Sequence, residues 1–262
     1  MRVLRIFIVG LFIIQMPSVC FAVDIPPGAA PHEATPFQVG EKLCYKLKWT
    51  VIPVGLAVFE VLDGTAETGT PSFLFRLTVK SYPFVDLIYK VRDSIESYVD
   101  RSMSHSILYR KNQREGKHRR NIEVRFDWQQ SKAIRYNKGK HESTIDVPPG
   151  TFDPLGVFYA FRLHPVTRGL EVRTPVSEGK KLVTGSAKVV KREIVTIGDH
   201  DFHTYLCEPD LQHVGGVFEK SKDAKIQVWV TADDRRIVVK LKSKVVVGHF
   251  TGELFSEEGC SE

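Results

Sequence analysis

The sequence contains no Cys-x-x-Cys pair, no His-Glu-x-x-His, no Gly-x-Ser-x-Gly elbow and no phosphate-cradling glycine loop. These absences set aside thioredoxin-like redox chemistry, Cys-rich zinc sites, zincin proteolysis, α/β-hydrolase catalysis and P-loop chemistry. Counting residues does not exclude a Ser-His-Asp set gathered from distant positions. After the N-terminal segment no apolar run approaches the roughly 20 residues that a membrane-spanning helix needs. Internal repeats and low-complexity tracts are also missing, so nothing divides the chain into modules. Charge is present without dominating: 26% of residues are charged, 42% are hydrophobic, and the formal balance is +6, of which Arg2 and Arg5 supply two. That composition is globular rather than disordered. The mild positive bias suits anionic lipid or glycan partners and is too weak for a nucleic-acid binder.

What is present begins with an export signal. Arg2 and Arg5 form a positive n-region, Ile6 to Ile14 an apolar h-region, and Cys20-Phe21-Ala22 a small-residue cleavage site. Residues 1–22 therefore read as a cleaved signal peptide, and the processed chain begins at Val23 in the periplasm, with no transmembrane segment after cleavage. Cleavage removes one of the four cysteines, leaving Cys44, Cys207 and Cys260, an odd set that allows one intramolecular disulfide at most. Cys44 and Cys207 both lie in strand-like segments, and an oxidising compartment permits them to pair. Two small buried residues without a bond is the equal alternative. Cys260 sits in a polar tail and reads as free.

Residues 23–36, rich in Pro, Ala and Gly, read as an extended leader. Alternation with a period of two then starts: Leu43, Tyr45, Leu47, Trp49 and Val51 on one face, Lys42, Cys44, Lys46 and Lys48 on the other. Further alternating segments follow at 56–61, 73–79, 91–99, 106–114, 117–128, 133–136 and 141–147. After an interruption they resume at 182–197, 202–206, 226–230, 237–241 and 245–254. About a dozen short strands joined by short turns imply an all-β, antiparallel protein. The expected architecture is β-barrel-like or a curved pair of sheets, one domain over 37–255 with a polar tail at 256–262. The interruption holds the one helix candidate, with Asp153 as cap, Pro154 in the first helical position, and Leu155, Phe158, Tyr159 and Arg162 on one face.

Three segments in order carry a family resemblance: Phe37-Gln38-Val39-Gly40-Glu41-Lys42-Leu43-Cys44-Tyr45 running into Trp49 and Gly55, then Asp153-Pro154-Leu155 with Tyr159 and Arg162, then Val228-Trp229-Val230-Thr231-Ala232-Asp233-Asp234-Arg235-Arg236. Together they resemble the bacterial exported family DUF3108, over about Pro36 to Leu254. The resemblance implies a periplasmic, mainly antiparallel β protein of Gram-negative bacteria. The family has no established activity, so no catalytic residue carries over.

The candidate sites are of three kinds. Aromatic residues exceed what a thin core requires, and Trp49, Phe75, Trp128, Phe158 and Tyr159 are the candidates to line an apolar ligand cavity, with a plain packed core as the alternative. The segment Arg110 to Arg125 has the strongest positive bias, and Arg114, Lys117, Arg119 and Arg120 are the candidates to contact an anionic group, against a solvated hairpin tip. Asp153 and Arg162 read as structural, a helix cap and a brace. Gly198-Asp199-His200-Asp201-Phe202-His203 reads as a turn rather than a metal site. The resulting expectation is a non-catalytic envelope protein with no cofactor and no metal, binding a lipid, a glycan or another envelope protein. An assembly scaffold is the alternative, and an unrecognised hydrolase the least favoured reading.

Overall fold

The computed structural model describes residues 35–66, 69–209, 226–244, 248–257 and 260. The expected signal peptide (1–22), nearly all of the leader (23–36) and the start of the strand expected from Val245 lie outside them. Fourteen strands are described, more than the dozen expected: β1 (Lys42–Trp49), β2 (Ile52–Thr65), β3 (Pro71–Ser81), β4 (Arg92–Asp100), β5 (Ser106–Glu115), β6 (His118–Asp127), β7 (Lys132–Asn137), β8 (Lys140–Asp146), β9 (Glu171–Ser177), β10 (Leu182–Ile197), β11 (His200–Pro209), β12 (Ile226–Thr231), β13 (Val238–Lys244) and β14 (His249–Ser256). Two short helices, α1 (Pro83–Tyr89) and α2 (Gly156–Phe161), connect β3 to β4 and β8 to β9.

All strands belong to one antiparallel sheet, ordered β8-β7-β6-β5-β4-β3-β2-β1-β14-β13-β12-β11-β10-β9. Two meanders are joined where the first strand meets the last, with Tyr45 opposite Leu254 and Trp49 opposite Phe250. The sheet is barrel-like and does not close. Its free edges, β8 and β9, do not form a ladder. The turn after β9 instead tucks against the inward side of β7 and β8, where Ser143 donates to the Gly179 carbonyl at 2.9 Å and Arg135 to the Glu178 carbonyl at 2.7 Å. The segment before α2 covers the β9 edge: Phe152 donates to Pro175, and Ser177 to Phe152. Covering an edge in this way blocks pairing with another chain.

The alternating residues point inward as their period requires. Leu43, Tyr45 and Leu47 meet Phe75, Ile95, Tyr109, Val124 and the Tyr159 face of α2 in one continuous core. Phe37 closes its lower end, edge-on to Phe73, Phe75 and Tyr159 with centroids 5.4–5.5 Å apart. Phe75 and Tyr159 stack at 3.8 Å.

Three expectations need correction. The disulfide joins Cys44 to Cys260, with Cα atoms 5.7 Å apart, and Cys207 is a buried free thiol. The pairing of β1 with β14 sets Cys44 opposite Ser256, so the tail arrives beside Cys44. Cys207, on β11, lies four strands away across β14, β13 and β12, or about 19 Å at the usual strand spacing. The helix in the interruption is joined by a second, α1, whose seven residues are too few for a periodic signal. Strand β9 falls within the interruption, where no strand is expected, and it contains Pro175. As an edge strand it tolerates a missing donor.

Candidate functional site

The helix α2 divides the interior. Asp153 accepts hydrogen bonds from the Leu155 and Gly156 amides at 2.8 and 2.9 Å, and its carbonyl accepts the first helical bond from Val157. The other carboxylate oxygen takes the Ser97 and Ser106 hydroxyls at 2.5 and 2.6 Å. Burial pushes the Asp153 carboxyl above its ordinary range, against the pull of Ser106, Ser97 and both amides. Tyr159 and Ala160 of α2, with Leu155 just before it, pack into the main core. The opposite face, through Val157, Phe158 and Phe161, looks across a gap towards β9–β13.

That gap is a cavity of about 250 Å³, walled by α2, Val172 and Val176 of β9, Ala187 of β10, Cys207 of β11, Val228 of β12 and Val238 of β13, with Thr174 and Ser186 among its few polar contributors. Small residues on β10 keep the space open: a Cβ at Gly185 would lie 3.2 Å from Val176. Burial pushes the Cys207 thiol up to about 12, so it faces the cavity as a neutral, weakly polar group rather than a nucleophile.

At the other end of α2, Arg162 is 1% exposed and fully engaged. Its Nη1 and Nη2 grip both carboxylate oxygens of Glu41 at 2.6 and 2.9 Å, while Nε and Nη2 donate to the Arg235 carbonyl and Nη2 to that of Pro36. The guanidinium also sits over the Phe37 and Tyr159 rings. One side chain thereby ties the start of the sheet and the β12–β13 connection to α2.

A second interior feature lies on β4, β5 and β7. Asp93, Lys111, Gln113, Glu115 and Arg135 are all buried. Lys111 stands opposite Ile122 in the β5–β6 register, so the two share the inward face, as do Arg135 and Val124 across β6–β7. Burial and the neighbouring Asp93 carboxyl push Glu115 up to about 8. Burial lowers Lys111 to about 8. Arg135 donates Nε to Glu142 at 2.6 Å and lies 3.2 Å from a Glu178 carboxylate oxygen.

Glu115 gives a pH test. The folded chain holds its proton between the unfolded value of 4.5 and about 8, while the unfolded chain has lost it. Its stabilisation is therefore complete below 4.5 and disappears as pH rises through 8. Relative to Glu115→Gln, the unaltered protein should lose at least about 1.4 kcal/mol of unfolding free energy between pH ~5 and ~8.5. Urea denaturation at the two pH values measures this, and parallel curves would show an ordinary carboxyl.

Of the five aromatic candidates, Phe158 alone lines the cavity. Phe75 and Tyr159 are packed in the main core. Trp128 stacks on Phe126 and donates to the Ser106 carbonyl, and Trp49 ends β1 beside Gly248. Arg114, Lys117 and Arg119 are exposed on the β5–β6 tip and Arg120 is half-buried there. The hairpin is not uniformly a solvated cationic face: Lys111 points inward, and Arg110 and Arg125 are both bonded to Glu123. Gly198 and Asp199 form the β10–β11 turn, with Ile197 opposite His200. No group of three or more His, Cys, Asp or Glu is placed to hold a metal among the described residues. Sequence reasoning missed Ala187, Val172 and Val176, and the inward polar strip. Only the strip left a signal, its parity with Ile122 and Val124.

A search of curated proteins finds no match. Among solved structures, the chain is similar to a crystal structure described as a β-barrel-like protein of domain of unknown function DUF1849 from Brucella abortus, at 13% identity and a TM-score of 0.51, covering 83% of this chain and 96% of that one. At that identity the likeness concerns the fold alone. The family model described as protein of unknown function (DUF3108) matches residues 44–254, which contain α2, Arg162 and every wall of the cavity, and the chain belongs to that family.

Proposed function

We propose that this protein is an exported, periplasmic, non-catalytic binder of an apolar group, held in the cavity between α2 and β9–β13. The observation that carries the reading is the cavity: about 250 Å³ of space with almost entirely apolar walls. It lies near the lower end of the roughly 300–1,000 Å³ usual for small-molecule sites, which suits one acyl or isoprenoid-like chain rather than a bulky ligand. The Cys44–Cys260 disulfide supports an oxidising compartment. A hydrolase has less support, because Lys111 and Glu115 are both almost completely enclosed. A scaffold joined through an open sheet edge also has less support. The β9 edge is covered, and β8 presents exposed Lys140, His141, Glu142 and Asp146.

Native mass spectrometry of chain 23–262 taken from a periplasmic extract, followed by solvent extraction, tests the reading. The expected result is a stoichiometric apolar adduct that is lost from Ala187→Phe, whose ring fills the cavity at a cost of about 1–3 kcal/mol in stability. A clean apo mass for the unaltered protein counts against it.

A further inference from the structure

The hairpin registers place four connections at one end of the sheet. Trp49 opposite Ile52, Lys80 opposite Arg92, Glu115 opposite His118 and Asn137 opposite Lys140 are the terminal pairs there. At this end the chain leaves large apolar side chains in solvent. On α1, Phe84 is 54% exposed, Leu87 88% and Ile88 71%, and in the neighbouring β1–β2 turn Val51 is 78% and Ile52 48% exposed. The two groups are adjacent because the Tyr82 amide, which begins α1, donates to the Val54 carbonyl at 3.1 Å.

The helix is held firmly in this exposed position. Arg92 grips Asp86 through Nη1 and Nη2, at 3.1 and 2.5 Å, and Ser81 bonds the same carboxylate. The Tyr89 ring lies so close over the β5–β6 turn that a Cβ at Gly116 would be 2.8 Å from it, and the Gly116 amide donates to the Lys90 carbonyl. Gly116, at φ +55°, suits both the turn and the ring. The apolar helix is thus bolted directly to the cationic hairpin tip.

Among the described residues, the exposed charges on these four connections have one sign. Lys90, Lys117, Arg119, Lys138 and Lys140 are exposed on these connections. Among the described residues of these four connections and their flanks the carboxylates are withdrawn: Asp86 is held by Arg92, and Asp93 and Glu115 are buried. An apolar wedge ringed by cations matches the chemistry of an anionic bilayer surface, with acyl boundary for the wedge and headgroup phosphates for the ring. A second copy fits less well, since pairing through α1 would bring two cationic rings together.

We propose that this end of the barrel, α1 with the β1–β2 turn and the β5–β6 tip, docks on an anionic lipid bilayer. Leu87, Ile88 and Val51 enter the interface while Lys90, Lys117 and Arg119 meet phosphates. The surface shares no residue with the cavity, so its test is independent of the apolar-binder reading.

The test is co-sedimentation of chain 23–262 with vesicles of phosphatidylglycerol mixed with phosphatidylethanolamine, and with vesicles of phosphatidylcholine alone. The expected result is binding to the anionic vesicles that weakens with salt. It should fall at least tenfold for Leu87→Asp/Ile88→Asp and for Lys117→Glu/Arg119→Glu. All four positions are exposed, so circular dichroism should be unchanged in both variants. In addition, the fluorescence of Leu87→Trp should be quenched by brominated acyl chains. Equal binding by all variants, no binding by the unaltered chain, or an unquenched Leu87→Trp would each overturn the proposal. A dimer in solution that Leu87→Asp dissociates would assign the patch to a second copy instead, which also overturns it.

Discussion

Replacing Arg162 by methionine should lower the unfolding free energy by about 3–5 kcal/mol, the largest loss expected from any single substitution in this protein. The guanidinium is buried, and the substitution strands a largely covered Glu41 carboxylate, 14% exposed, together with the carbonyls of Arg235 and Pro36. Removing one partner of a buried pair is costly because the other charge remains without solvent or counter-ion. Arg162→Lys should recover only part of the loss, since an ammonium cannot reproduce the two-pronged grip on Glu41 and still reach both carbonyls. Glu41→Leu combined with Arg162→Met should be less damaging than Arg162→Met alone, because no buried charge is then left over. Urea denaturation of the unaltered protein, Arg162→Met, Glu41→Leu and the double variant measures the cycle, with Arg162→Lys alongside. For a domain of this size the single loss corresponds to at least about 6 °C in Tm. A loss under about 1 kcal/mol for Arg162→Met would mean that the clamp is decorative. The clamp also bears on the cavity. Arg162 follows directly on α2, so its removal should loosen the helix whose Phe158 and Phe161 form one wall, and any retained ligand should be lost with it.

The sheet was largely legible because its physics is local. A strand with one face in the core must alternate, and Leu43-Tyr45-Leu47 or Ile122-Val124-Phe126 announce themselves in a single chain. Where alternation was interrupted, reading failed: β9 falls within the interruption and contains Pro175, and the seven residues of α1 are too short to show a period. The cavity was legible only at Phe158. Its other walls come from five strands brought round by the β1–β14 junction, and no local pattern reports which residues meet across a rolled sheet. The aromatic count pointed to a cavity, but most of those rings fill the main core, and the space lies where residues are small, at Gly185 and Ala187. The polar strip was hidden for a different reason. In a run as basic as Arg110 to Arg125, alternating inward and outward charges look like one cationic surface, and only the register separates Lys111 from its neighbours.

Breaking the Cys44–Cys260 bond should cost about 2–4 kcal/mol, second only to loss of the clamp. The bond spans 216 residues, so it encloses the whole sheet in one loop and restrains the unfolded chain strongly. In the folded state it fastens the segment after β14 to β1, across the junction that joins the two meanders. Cys260→Ser should therefore lower stability and fray the end of β14, whereas Cys207→Ala should leave the bond intact. Under denaturing, non-reducing conditions chain 23–262 should take one alkyl group, at Cys207, and digestion should yield a peptide joining Cys44 to Cys260. A digest joining Cys44 to Cys207 would contradict the strand order itself, because those residues are separated by the full width of β14, β13 and β12. The same experiment bears on compartment. The Cys44 side chain is enclosed beneath the tail, so a chain that folds after export, as proposed, is expected to form the bond before or while β14 closes on β1. Chain produced in a reducing cytoplasm should accordingly carry three alkylatable thiols after unfolding and show the lower stability of Cys260→Ser. Equal stability of the oxidised and reduced chains would leave the disulfide without a structural role and weaken the case for folding after export.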